Sequence, residues 1–205
     1  MISPMDENRS SHDVKPLDAR PSPDSDTPSP APERLQEVIE LLRAEIEQHY
    51  GIPILFVDVP APFVGDLDGE EIWIDFEQEY ELIAFNLIHL FGHTVQWNLL
   101  GQAPDIGGKA PGTYSEAELA EVDRYERDAS RYGLQLLHDL GVRDLDAWLT
   151  EFSTSDVAYL VHFYRTGEKV DHRGFWHSGM PLLEPLPIPP FTPKRLKLRS
   201  SGVVI

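Results

Sequence analysis

The chain has 205 residues, 41% of them hydrophobic, no cysteine, and a formal net charge of -18 at pH 7. That length and apolar content suffice for one core, and the acidic balance argues against a nucleic-acid-binding surface, which needs a basic face to displace counterions from phosphate. Without cysteine, disulfides, thiolate metal sites and cysteine nucleophiles are excluded, so any metal has to be held by His, Asp or Glu.

Residues 1–32 are rich in Pro, Ser and Asp and cannot bury enough apolar surface to offset chain entropy, so a disordered tail is expected there. No apolar run has the character of a signal peptide or the roughly 20 residues needed to span a bilayer, which makes a soluble, cytoplasmic protein without membrane contact the expectation. Leu35, Val38, Ile39, Leu42 and Ile46 recur at helical spacing and predict an amphipathic helix that stops at Gly51. Residues 52–59 read as a strand, and Pro60-Ala61-Pro62 as a break. Phe63-Val64 and Ile72-Trp73-Ile74 flank a Gly- and Asp-containing turn, the pattern of a hairpin.

A long helix is predicted over about residues 79–99, followed by an exposed loop at 101–113 with four glycines. Ser115, with Glu116 and Glu118 behind it, caps a second long helix that ends near Gly141. Two shorter helices are predicted at 144–152 and 155–164. Beyond residue 166 the chain is Pro-rich, and Phe175, Trp176, Leu182, Leu183, Leu186, Ile188 and Phe191 would be exposed unless it lies as an extended arm over the domain. The basic run Lys194-Arg195-Leu196-Lys197-Leu198-Arg199 is expected to form salt contacts with the acidic body. Trp73, Trp97, Trp148 and Trp176 read as core or arm anchors. The expected division is therefore a tail (1–32), an α+β domain (33–165) and an arm (166–205), the arm packing in cis or across to a second subunit.

The chemistry lies in Asn86-Leu87-Ile88-His89-Leu90-Phe91-Gly92-His93-Thr94-Val95-Gln96. On a helix, positions i and i+4 share a face, so His89 and His93 can reach one ion, with Asn86 and Gln96 beside them. Apolar residues occupy nearly every other side. Buried imidazoles need partners, because an unsatisfied polar group costs about 1–3 kcal/mol. Either a metal or ordinary hydrogen bonding between core histidines would supply them. The zinc-protease pattern His-Glu-x-x-His uses this spacing with the glutamate as general base; here Leu90 stands in that position. A catalytic-type zinc site needs a third protein ligand, and the stretch from Tyr125 to Leu134 on the second long helix is where to seek it.

Helix, strands with a hairpin, His-x-x-x-His helix, loop and Glu-bearing helix follow one another in the order of a minimal zincin. Over roughly residues 34–140 the chain resembles the gluzincin-type metallopeptidases, nearest the ImmA/IrrE group. Glu126-Arg127-Asp128-Ala129-Ser130 matches the Glu and the Ala of that group's Glu-x-x-Ala-Asp, with Ser130 in place of the aspartate. The resemblance implies a zincin-like domain and zinc held by His89, His93 and Glu126. Leu90 removes a base worth about 100- to 10,000-fold in rate, so ordinary peptidase activity is not expected. Leu90→Glu is expected to raise peptide hydrolysis if the rest of the site is intact.

Asp75, Glu77, Glu121 and Asp123 are candidate stand-ins for the base, although Glu121, Asp123 and Asp128 read more simply as solvated helix-face charges. His162 or Tyr164 are candidates for stabilising an oxyanion, His162 also reading as a hydrogen-bonded core residue. Asp105 is a rival third ligand. His172 and His177, in the arm, are expected to be exposed. Two functions are compatible with these residues: a metal-binding, hydrolase-like domain with altered catalysis, or a non-catalytic module that binds a protein or peptide partner without metal. A third possibility is that the arm fills the cleft and inhibits the site.

Overall fold

The long segment with apolar residues on almost every side becomes the centre of the fold. The computed structural model describes residues 29–59, 63–106 and 108–197, and these form a mixed α+β structure. Its elements in chain order are α1 (Pro32–Glu45), β1 (Ile54–Val57), β2 (Gly65–Leu67), β3 (Ile72–Asp75), α2 (Tyr80–Leu100), α3 (Glu116–Asp139) and α4 (Asp146–Thr166). The predicted tail up to residue 28, the Pro60-Ala61-Pro62 break and the arm beyond residue 197 lie outside the described residues. Every residue of α2 from Glu81 to Trp97 is buried, and a helix of that kind has to be wrapped by other elements. Among the described residues, no helix is long and apolar enough to cross a membrane.

α1 buries Leu35, Val38, Ile39 and Leu42 and continues as a π-helical turn over Ile46–Tyr50. Gly51 stops it in the left-handed conformation, at φ 70°, which glycine adopts without a Cβ penalty. The sheet has the order β1-β3-β2, with β1 parallel and β2 antiparallel to β3. α3 begins at a full capping box. The Ser115 backbone N–H donates to Glu118 Oε2 (2.9 Å), and the Glu118 N–H donates to Ser115 Oγ (3.4 Å).

Where two short helices are predicted, α4 runs unbroken. The break expected at residues 153–154 would suit hydroxyl side chains, which compete for backbone groups. Ser153 Oγ instead donates back to Leu149 O (2.7 Å) inside the helix, and Phe152, Val157 and Leu160 keep the buried face continuous across the junction.

From residue 167 the chain crosses α4, then α3, then the β2 edge of the sheet. Gly179 N donates to Glu151 Oε1 (3.0 Å) and Leu183 N to Thr150 Oγ1 (3.1 Å). Leu186 N donates to Arg131 O, while Arg131 Nε donates to Glu184 O (2.9 Å). Phe191 stacks on Tyr50 with ring centroids 5.7 Å apart. The basic run ends on acidic residues, as its charge suggests: Arg195 Nε pairs with the fully buried Asp68 (2.9 Å), and Lys197 pairs with Asp66 (2.8 Å). Trp176 is buried, whereas Leu182 stays 57% exposed and so is not one of the anchors expected in the arm.

Candidate metal centre

The geometry of the centre begins with the crossing of α2 and α3. Gly92 faces the backbone of Ala129 so closely that a Cβ there would lie 2.0 Å from the Ala129 carbonyl oxygen. Gly133 lies against Ile88 in the same way, a Cβ there falling 2.6 Å from the Ile88 carbonyl oxygen. Two glycines, one on each helix, let the backbones approach until side chains four residues apart on α2 meet one from α3.

Those side chains are His89, His93 and Glu126, which are 1%, 2% and 8% exposed. His89 Nε2 lies 2.9 Å from His93 Nε2, and Glu126 Oε2 lies 3.0 Å from each. The other ring nitrogens decide the tautomers. Ser130 Oγ donates to the Glu126 carbonyl (3.3 Å), which leaves it to accept from His89 Nδ1 (3.3 Å). Gln96 Nε2 donates to the Tyr125 carbonyl (2.7 Å), which turns Gln96 Oε1 toward His93 Nδ1 (2.8 Å) as an acceptor. With both Nδ1 atoms donating, both Nε2 atoms present lone pairs, and they do so toward a carboxylate oxygen. In these tautomers three acceptors converge in a buried place without a donor among them, an arrangement that a metal ion or a shared proton would satisfy.

The residues fit a metal. A tetrahedral zinc with bonds of about 2.0–2.1 Å spaces its ligand atoms about 3.3 Å apart, close to the 2.9–3.0 Å found here. His89, His93 and Glu126 are also the one group of three or more His, Asp or Glu among the described residues whose ligand atoms all lie within 4.8 Å of one another. Burial, and then the neighbouring His93, hold the His89 imidazole below its usual range, which keeps it neutral and able to ligate. Burial alone would raise the Glu126 carboxyl; with protons on the imidazoles in place of a metal, the charge on His93 and hydrogen bonds from both rings lower it to about 2, so the group is an anion. Phe85 stacks on His89 (5.4 Å) and Tyr125 on His93 (4.5 Å), walling the rings.

The remaining candidates are placed elsewhere. Leu90 is fully buried, and its Cδ1 reaches toward Gly65 of the sheet rather than into the polar group. Asp75 is buried and closes a turn by accepting from Glu77 N (2.8 Å); Glu77 is exposed. Asp123 and Asp128 pair with Arg127 and Arg131 on their own helix. Glu121 and Asp105 are exposed and line a surface cavity beside Gln96 and Tyr125. His162 is half-buried against Phe175. Tyr164 packs against Tyr114, and burial, then the charge on Glu126, pushes its phenol up to about 12. Asn86 is buried beside His89, and neither amide atom finds a hydrogen-bond partner.

His177 is exposed as expected, but His172 is not. A short 3-10 turn over His172–Phe175 folds onto α4 and inserts the ring between Phe152 (6.1 Å) and Tyr159 (5.7 Å), leaving it 6% exposed. Burial lowers its imidazole to about 4. The unfolded chain therefore takes up a proton below about pH 6.5 that the folded chain refuses until about pH 4, so stability falls across that window. Between about pH 7 and about pH 4.5 the wild type is expected to lose about 2 kcal/mol more than His172→Gln in urea denaturation. Parallel pH profiles for the two would contradict this.

Asp156, which sequence reasoning passes over, is buried in α4. A signal was present: Phe152, Asp156, Leu160 and Tyr164 recur every four residues, so an acid stands in an otherwise apolar and aromatic stripe. Comparison of the chain with models of known protein families, with curated proteins and with solved structures finds no match.

Proposed function

We propose that this chain is a metal-binding domain of gluzincin type, holding a divalent ion, zinc by the nature of the donors, on His89, His93 and Glu126. The observation that carries the reading is the convergence of three buried acceptor atoms at 2.9–3.0 Å, with each imidazole's other nitrogen engaged as a donor. Order of elements supports it: the histidine pair sits on the helix after the sheet, and the glutamate on the helix after that. Two imidazoles and one carboxylate leave a coordination position open, as catalytic rather than structural zinc sites do. Bound zinc supplies a Lewis acid and a water activated near neutral pH.

The protein's own residues orient and shield. Ser130 and Gln96 hold the two rings in the ligating tautomer, and Phe85 and Tyr125 keep bulk water from them. Leu90 offers no proton acceptor, so peptide hydrolysis by the usual glutamate route is not part of this function.

A second reading is favoured by the short His–Glu distances, which also suit an ion pair. In it a proton replaces the metal, and the fold serves as a metal-free module for a protein or peptide partner. Elemental mass spectrometry on untagged protein separates the two. About one zinc per chain is expected in the wild type, falling at least about 10-fold in His93→Ala and in Glu126→Gln. A folded wild-type protein without metal would reject the first reading in favour of the second.

A further inference from the structure

Asp156 is a buried acid that the proposed function leaves without a task. Its side chain is 2% exposed, its Oδ2 has no hydrogen-bond partner, and its Oδ1 lies 3.9 Å from His172 Nε2, itself without a hydrogen bond. A buried carboxylate of this kind is among the most costly groups a fold can hold unless something compensates it.

Its position shows what that could be. One turn before it on α4, Phe152 stacks on Phe85 at 4.1 Å, and Phe85 in turn stacks on His89. Two turns after it, Tyr164 senses the charge of Glu126. Asp156 stands between these two points on the same stripe of α4, within range of the charge on Glu126. Its carboxylate is not one of the groups whose ligand atoms cluster within 4.8 Å, so it is not counted among the ligands. A dication, two neutral imidazoles, Glu126 and an ionised Asp156 sum to zero charge, so the metal accounts for the second buried acid as well as the first.

We propose that Asp156 Oδ2 holds the water at the open position of the metal centre and accepts its proton, supplying the base that Leu90 does not. The inference rests on the metal reading above. In the step, the O–H bond of the water breaks and its proton passes to Asp156 Oδ2. The freed electron pair forms the new C–O bond to a carbonyl carbon, and the carbonyl π pair moves to its own oxygen. His172, behind Oδ1, is a positioning residue. Without the metal, burial and then the charge of Glu126 push the Asp156 carboxyl up to about 8, as repulsion between two buried acids requires. The titratable groups that interact with it are Glu126 on α3, His172 on the arm, and Tyr159 and Tyr164 on α4.

The test uses the full chain loaded with cobalt(II), whose visible spectrum reports ionisation of bound water between about pH 5 and about pH 9. Wild type, Asp156→Asn and the control Ser155→Ala are expected to bind equal cobalt. The spectral midpoint should move by about one pH unit or more in Asp156→Asn and stay in place in Ser155→Ala. Hydrolysis of p-nitrophenyl acetate should fall at least about 100-fold in Asp156→Asn. Asp156→Ser, a smaller replacement with the same expected shift, serves if the asparagine variant does not fold. Equal midpoints at equal cobalt would overturn the role of Asp156 and leave the metal reading standing. Loss of cobalt from folded Asp156→Asn would make the residue a ligand and also overturn it, while a wild type that binds no cobalt would remove both.

Discussion

Gly92→Ala is expected to unfold the protein or strip it of metal, although it adds a single methyl group and removes no ligand. The added Cβ would lie 2.0 Å from the carbonyl oxygen of Ala129 and 2.6–2.8 Å from its C and Cα atoms. All three are backbone atoms of a helix, so no rotamer change relieves the overlap; α2 and α3 must separate. Overpacking of this rigidity costs about 3 kcal/mol or more. Any separation also carries Glu126 away from His89 and His93, because the three are joined only across that crossing. Thermal denaturation and metal content measured together check this. The expected outcome is a markedly lower melting temperature with zinc reduced in the fraction that remains folded. A variant with wild-type stability and full zinc would mean that the helices do not pack as described.

Leu90→Glu is expected to destabilise the fold by about 4 kcal/mol or more without creating a peptidase. The simple reading of the motif would make it a repair, since it restores the glutamate of His-Glu-x-x-His. But Leu90 is fully buried and reaches toward Gly65, whose own Cβ, if it had one, would lie 2.8 Å from Leu90 Cδ1. A glutamate there loses its hydration among apolar neighbours, and a buried carboxyl of that kind shifts upward by several pH units, each worth about 1.4 kcal/mol. The side chain also points about 100° around the helix from His89, toward the sheet. Urea denaturation at neutral pH should show the loss. A stably folded Leu90→Glu that gains hydrolysis of a generic peptide would show that the position opens onto the metal after all.

The two substitutions mark where reading along the chain succeeds and where it stops. The apolar repeat from Leu35 to Ile46, the Ser115–Glu118 cap and the four-residue spacing of His89 and His93 are local, and each is legible because helix geometry converts sequence distance directly into direction. Glu126 entered through the resemblance to the gluzincin-type metallopeptidases rather than through spacing, and the structure sets its Oε2 3.0 Å from both imidazoles. The expected break between residues 152 and 155 is absent, because the buried stripe through Phe152, Val157 and Leu160 holds α4 together.

By itself, then, the sequence determined the α+β order of elements, the exclusion of cysteine chemistry and the pair of histidines on one helical face. Only the tertiary structure decided that Ser130 and Gln96 set the tautomers, that Leu90 lies under the sheet, and that His172 and Asp156 are buried. The physical reason is that periodicity states which side of a helix is covered, never by what. That depends on the closeness of two backbones at Gly92 and Gly133, an approach that exists only once α2 and α3 have packed.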